Sequence, residues 1–283
     1  MTNSKETLNI SDYPYMDIEI ENISKVSSIT TLLILAILFV FGIILNVISI
    51  IAILKTKKLE IISILILNLA FADIVYLTGI PFFTMSALFG SWPFGLSGCI
   101  IFYLIDYVGM VVGVYTVAAL SLERFLVVTD NKKRLENLSD KFKKFIVFIY
   151  LTIIWLIGII FSLPLLLNIY LGKSMDDTYT CELNIDETKQ DIILILRFFL
   201  IFILPFSIIL TSSVKLIIFL KKNSFSNRRR SNSNEKESNS KANSVHQKAI
   251  KIVLSIVFMF IIQWLPLWTG ILNFIYILLI IFL

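Results

Sequence analysis

Six apolar runs, near residues 29–54, 61–88, 99–128, 145–171, 192–220 and 249–283, constrain this chain more than any motif in it. About 20 apolar residues cross the roughly 30 Å hydrocarbon core of a bilayer as a helix. In lipid every backbone N–H and C=O must be satisfied within the protein, so runs of this length and continuity dictate helices. Composition agrees: 57% of the 283 residues are hydrophobic, 16% are charged and the mean hydropathy is +0.87. Soluble domains are about 45–50% apolar and about 25% charged. The chain is therefore read as an all-α, polytopic membrane helix bundle, which excludes most soluble enzymes, disulfide-stapled secreted scaffolds and disordered proteins. Two cysteines and one histidine leave little material for a metal cage, and neither a metal, a cofactor nor an enzymatic activity is expected.

Basic residues set the orientation. Lys55, Lys57 and Lys58 follow the first run, Lys132, Lys133, Arg134, Lys141, Lys143 and Lys144 the third, and Lys221, Lys222, Arg228, Arg229, Arg230, Lys236, Lys241 and Lys248 the fifth. Residues 89–98 carry no charge, and 172–191 are acidic overall. The amino terminus is thus expected outside a plasma membrane, and the net charge of +5 reports cytoplasmic loops, with no nucleic-acid partner. Residues 1–28 read as an outer tail bearing glycosylation sequons at Asn9 and Asn22, and 29–283 as the transmembrane domain. Within it, the Ser/Asn/Lys/Arg-rich stretch 223–245 reads as a flexible cytoplasmic loop. From Ala249 to Leu283 the only charge is Lys251. That stretch is too long for one comfortable crossing and holds no break that yields two, so six spans are expected, with a seventh missing or unrecognisable.

Ionisable groups inside spans are expensive and mark function. Asp73, midway along the second run, must face the bundle interior, where it holds a cation, anchors a polar network with Asn46 and Asn68, or stays protonated and hydrogen-bonded. Asp106 lies seven residues, two helical turns, beyond Cys99. At that depth it suits a ligand's amine or guanidinium, or else an internal ion pair with Arg197 of the fifth run; ligand and arginine can alternate. Glu123 beside Arg124 at the inner boundary makes either a two-state ion pair or an ordinary snorkelling span end. Cys99 and Cys181 are the only cysteines, both on the outer side where oxidation is permitted, and a disulfide between them would pin the loop across the pocket mouth.

Taken in order, Asn46, Leu69-Ala70-Asp73, Trp92, Cys99, Glu123-Arg124-Phe125, Trp155, Pro164, Cys181, Pro205 and Phe260-Ile261-Ile262-Gln263-Trp264-Leu265-Pro266 resemble a rhodopsin-like G protein-coupled receptor over roughly residues 29–275. Gly79-Ile80-Pro81-Phe82-Phe83, Ser91-Trp92-Pro93-Phe94-Gly95 and Asp106 are similar to the somatostatin, opioid and allatostatin C peptide receptors. The resemblance implies an extracellular, basic neuropeptide ligand, with Asp106, Arg197, Glu182 and Trp264 at its site. It also implies an activation switch of Glu123, Arg124, Phe260, Trp264 and Pro266, a sodium ion near Asp73, and heterotrimeric G protein and arrestin partners besides membrane lipids. A chemokine-type receptor is the alternative, suggested by the acidic, tyrosine-bearing tail Asp12, Tyr13, Tyr15, Asp17, Glu19 and Glu21.

Several positions depart from the family pattern. Gly113 stands where relatives place a serine of the sodium site, and Ser213 where the fifth helix supplies a tyrosine. No Asn-Pro-x-x-Tyr sequence follows Leu267. A second alternative is therefore a truncated, non-signalling form that acts as a ligand sink or as the dimer partner of a full-length receptor.

Overall fold

The computed structural model describes residues 14–56, 59–129, 139–230 and 258. Helix α1 spans Pro14–Leu54, α2 Ile61–Leu77, α3 Gly79–Phe89, α4 Gly95–Val128 and α5 Asp140–Leu166. Strands β1 (Ile169–Lys173) and β2 (Tyr179–Leu183) follow, then α6 (Glu187–Arg197), a π-helical segment (Phe198–Ile203) and α7 (Leu204–Arg230), the last three forming one continuous rod. Five helices among the described residues are long and apolar enough to cross a membrane: 29–54, 61–89, 95–127, 140–166 and 188–222. The expected sixth run, 249–283, and the expected lack of a seventh span lie outside the described residues apart from Phe258.

Central to the bundle is α4, which packs on α2, α5 and α7. Val108 and Val112 meet Leu65 and Ala72 of α2 and Leu151 and Ile154 of α5. One helical face further round, Val111, Val114 and Ala118 meet Phe198 and Ile201 of the π segment and Ile209 of α7. Close approach depends on small residues, as is usual where lipid tails are as apolar as the side chains they touch. A Cβ on Gly109 would fall 3.1 Å from the Tyr76 Cα, and one on Gly158 would fall 3.2 Å from the Val108 Cα. Outward, large apolar side chains such as Phe41, Phe71 and Phe148 stay exposed, as a membrane-facing surface requires.

The outer tail, whose conformation the sequence left open, is helical from Pro14, because proline at a first helical position loses no bond and no Gly or Pro interrupts the chain before Gly42. Three sequence expectations need correction. The second run is two helices meeting at Thr78, since Pro81 cannot donate to the Leu77 carbonyl. The fourth span runs 140–166 instead of 145–171. Ser139 caps its start by accepting from the Lys141 N–H at 3.2 Å. Three groups end it: Pro164, the Asn168 amide donating to the Pro164 carbonyl at 2.7 Å, and the Asn184 N–H on the Asn168 carbonyl at 2.8 Å. Residues 223–230, expected as the start of the flexible loop, continue α7, which has no Gly or Pro beyond Pro205; 231–245 lie outside the described residues.

The loop after α5 is an antiparallel hairpin that sequence reading missed, in register Ile169 to Leu183 and Lys173 to Tyr179. It is tied down twice. Cys181 is joined to Cys99 near the start of α4, with Cα atoms 5.8 Å apart. Tyr179 receives the Trp92 N–H on its carbonyl at 2.7 Å and gives its own N–H to Ser91 Oγ at 2.9 Å.

Candidate ligand site and its connections

Two turns of α4 below the disulfide carry Tyr103, Asp106 and Tyr107, spaced three, four and one residue apart and so spread over one inward-facing sector. Arg197, the last residue of α6, reaches this sector. Its guanidinium carbon lies 3.9 Å from the Tyr107 ring centroid and one terminal nitrogen donates to the Tyr107 hydroxyl. Its Nε is buried with no hydrogen-bond partner. Among the described residues no ion pair within 4.0 Å links Arg197 to Asp106, although the two charges act on each other through space. The expected ion pair is thus replaced by a stacked tyrosine. Consecutive helical residues point about 100° apart, and α6 meets the direction of residue 107. Asp106 itself accepts no hydrogen bond from any described residue.

Glu182, expected to contact ligand, sits exposed on β2 with its carboxylate already engaged: it accepts from the Tyr170 and Thr180 hydroxyls. These bonds hold its carboxyl below the usual glutamate range and push the Tyr170 hydroxyl up. Lys173 pairs with Asp177 at 2.8 Å across the turn of the same hairpin. Beside the disulfide, a cavity of about 270 Å³ opens between α3, α4 and β2, lined among others by Phe83, Ser86, Trp92, Phe102 and Tyr103. Trp92 anchors its floor, 5% exposed, through an indole N–H bond to the Gly95 carbonyl at 2.9 Å and contacts with Phe82, Phe94 and Phe102.

Below the site, the π segment is coupled to α4. The Leu204 N–H reaches back five residues to the Phe199 carbonyl, and residue 205 is proline. The helix therefore supplies the Leu200 carbonyl with no donor in either register, and the Tyr115 hydroxyl donates to it at 2.8 Å. The Tyr115 carbonyl in turn accepts from the Tyr150 hydroxyl of α5 at 2.7 Å. Neither tyrosine stood out in the sequence, because nothing in it shows which carbonyl a π turn leaves unpaired.

Of the roles expected for Asp73, a network with Asn46 and Asn68 does not form among the described residues. Asn46 donates to the Gly42 carbonyl of its own helix at 2.9 Å. Asn68 donates to Thr116 Oγ1 at 2.8 Å and accepts from the Trp155 indole N–H at 3.0 Å, joining α2, α4 and α5. Asp73 faces Gly113, whose position leaves 4.0 Å between a built Cβ and Asp73 Oδ1. A hard cation needs several oxygen ligands. Gly113 supplies no side-chain oxygen to Asp73, and Asn68 is engaged by Thr116 and Trp155.

Towards the far end of α4, Glu123 Oε2 is buried without a partner, Arg124 is exposed, and no ion pair within 4.0 Å joins them. Phe260, Trp264, Pro266 and Asn9 lie outside the described residues, and Asn22 is known only as part of α1.

Residues 45–279 match the sequence profile of the 7 transmembrane receptor (rhodopsin family). The chain belongs to this family. Its kinship is with receptors, not enzymes. It is similar to leukotriene B4 receptor 1 of Bos taurus, 31% identical over 160 residues, which are 55% of this chain and 44% of that protein. It is also similar to somatostatin receptor type 2 of Mus musculus, 25% identical over 213 residues (74% of this chain, 54% of the relative). Somatostatin receptor type 1 of Rattus norvegicus is 25% identical over 212 residues, 72% of this chain and 49% of the relative. The chain spans about half the length of the curated relatives it matches.

Proposed function

We propose that this rhodopsin-family chain is a plasma-membrane receptor, disulfide end outside, that binds a basic extracellular peptide at Asp106 and passes the event to a heterotrimeric G protein. Arrestin would use the same inner end. The observation that carries the reading is the Asp106 carboxylate, which accepts no hydrogen bond from the described residues and lies two turns inward from a hairpin pinned at both Cys181 and Tyr179. A carboxylate left unpaired in a membrane interior is costly, and a ligand ammonium or guanidinium would restore its partner. The somatostatin receptors among its relatives support a peptide over other cationic ligands. Binding would bear on Arg197 and the adjoining π segment, whose bond to Tyr115 offers a mechanical route into α4.

Labelled somatostatin binding to cells displaying the wild-type chain and Asp106→Asn tests this. A hydrogen bond to a charged group contributes about 1.5–3 kcal/mol, so the variant should bind roughly ten- to a hundredfold more weakly. Ligand-stimulated GTPγS loading of co-expressed G protein should fall in parallel. Unchanged affinity in Asp106→Asn would remove Asp106 from the site.

A further inference from the structure

Among the described residues, Arg197 is the cationic side chain with a buried nitrogen that has no hydrogen-bond partner. A guanidinium carries five N–H donors; one terminal nitrogen here reaches the Tyr107 hydroxyl, and Nε is buried with nothing to donate to. The Tyr107 ring face 3.9 Å away eases the positive charge but accepts no N–H in the plane of the fork. No carboxylate of the described residues comes within 4.0 Å. Tyr107 thereby engages Arg197 near Asp106 without a direct ion pair between the two, so neither charge has the other as a hydrogen-bond partner. Such an arrangement, a cation and an anion kept apart in an otherwise apolar bundle, matches a molecule that carries both signs.

We propose that Arg197 is the docking point for a ligand carboxylate, held by the guanidinium edge that includes Nε, so that the natural ligand is an ampholyte with its cation on Asp106 and its carboxylate on Arg197. The proposal rests on the reading of this end of the bundle as the ligand site; the carboxylate site at Arg197 stands without a cation on Asp106, whereas the ampholyte needs both. Arginine suits the role because its planar fork matches the two oxygens of a carboxylate, where a lysine would offer only a point charge. Tyr107 is a positioning residue: its ring fixes the plane of the fork.

Three small probes of one shape separate the two charges: 4-phenylbutyrate, its uncharged amide 4-phenylbutanamide, and 4-phenylbutylamine. Their affinities are measured by saturation-transfer NMR on the full chain in nanodiscs. The acid should bind wild type about tenfold or more tighter than the amide. That preference should vanish in Arg197→Gln and grow in Asp106→Asn as a repelling charge is removed. Equal binding of acid and amide by wild type, or a preference that survives in Arg197→Gln, overturns the proposal. The wild-type comparison stands alone should Arg197→Gln fail to fold. The amine arm reports on Asp106 separately: an amine that binds wild type and Asp106→Asn alike defeats the peptide-cation reading and leaves the carboxylate site intact.

Discussion

Replacing Tyr115 by phenylalanine removes one oxygen atom and should cost more than its burial suggests. That hydroxyl is the donor for the Leu200 carbonyl, which the π segment and Pro205 deprive of a backbone N–H. Stranding a buried acceptor costs about 1–3 kcal/mol. For chains of roughly 150–250 residues, each kcal/mol moves the melting midpoint by about 2–4 °C, so Tyr115→Phe should lower it by roughly 2–12 °C. Tyr150→Phe is the matched control. It deletes a hydroxyl bond of nearly equal length, 2.7 Å against 2.8 Å, but to the Tyr115 carbonyl, which sits inside α4 and keeps the Ala119 N–H of its own helix. The control should therefore lose only about 0.5–1.5 kcal/mol. Melting in nanodiscs can be followed by the fluorescence of the four tryptophans; thiol-reactive dyes are unsuitable because both cysteines are joined. A Tyr150→Phe loss equal to or larger than that of Tyr115→Phe would show that the Leu200 carbonyl finds another donor, and the account of the π segment would fail.

Glycine contacts make a second pair. Gly158→Ala pushes a methyl to 3.2 Å from the Val108 Cα, a backbone atom that cannot yield, whereas Gly42→Ala meets the flexible end of Leu77. The first should cost about 1–3 kcal/mol and the second clearly less in the same melting assay; the reverse order would refute the packing of α5 on α4. The hairpin should respond to pH at both ends. Glu182 has its pKa lowered from 4.5 by the Thr180 and Tyr170 hydroxyls, so its contribution is present above that value and is lost as pH falls through the lowered one. Tyr170 is raised from 10.0, mainly by its bond to Glu182, so its contribution holds below 10 and is lost as pH rises through the higher value. Phenolate absorbance, taken as wild type minus Tyr170→Phe, should titrate above the ordinary tyrosine range, and Glu182→Gln should bring it back; a normal titration in wild type would dissolve the cluster.

The sequence by itself determined the membrane bundle, because lipid leaves an apolar run of this length no option but a helix, and that argument needs no neighbours. It also determined the Cys99–Cys181 link, since the chain holds only two cysteines. The ordered series from Asn46 to Pro266 was enough for the family, because each of its members is recognised by identity and place in the chain. Tertiary structure decided everything that depends on direction. Whether Arg197 would meet Asp106 or Tyr107 turns on a single residue's rotation between two helices. Asn68 lies on the same helix as Asp73 yet joins Trp155 and Thr116, and Gly113 leaves the Asp73 carboxylate facing an empty Cβ position. The same holds for the hairpin and for Tyr115, whose hydroxyl matters only because a π turn and a proline, in a helix 85 residues further along, strand the carbonyl it reaches. Pattern along a chain records which residues can be buried; the partner each one finds is set by the rotation and register of helices that sequence order alone leaves free.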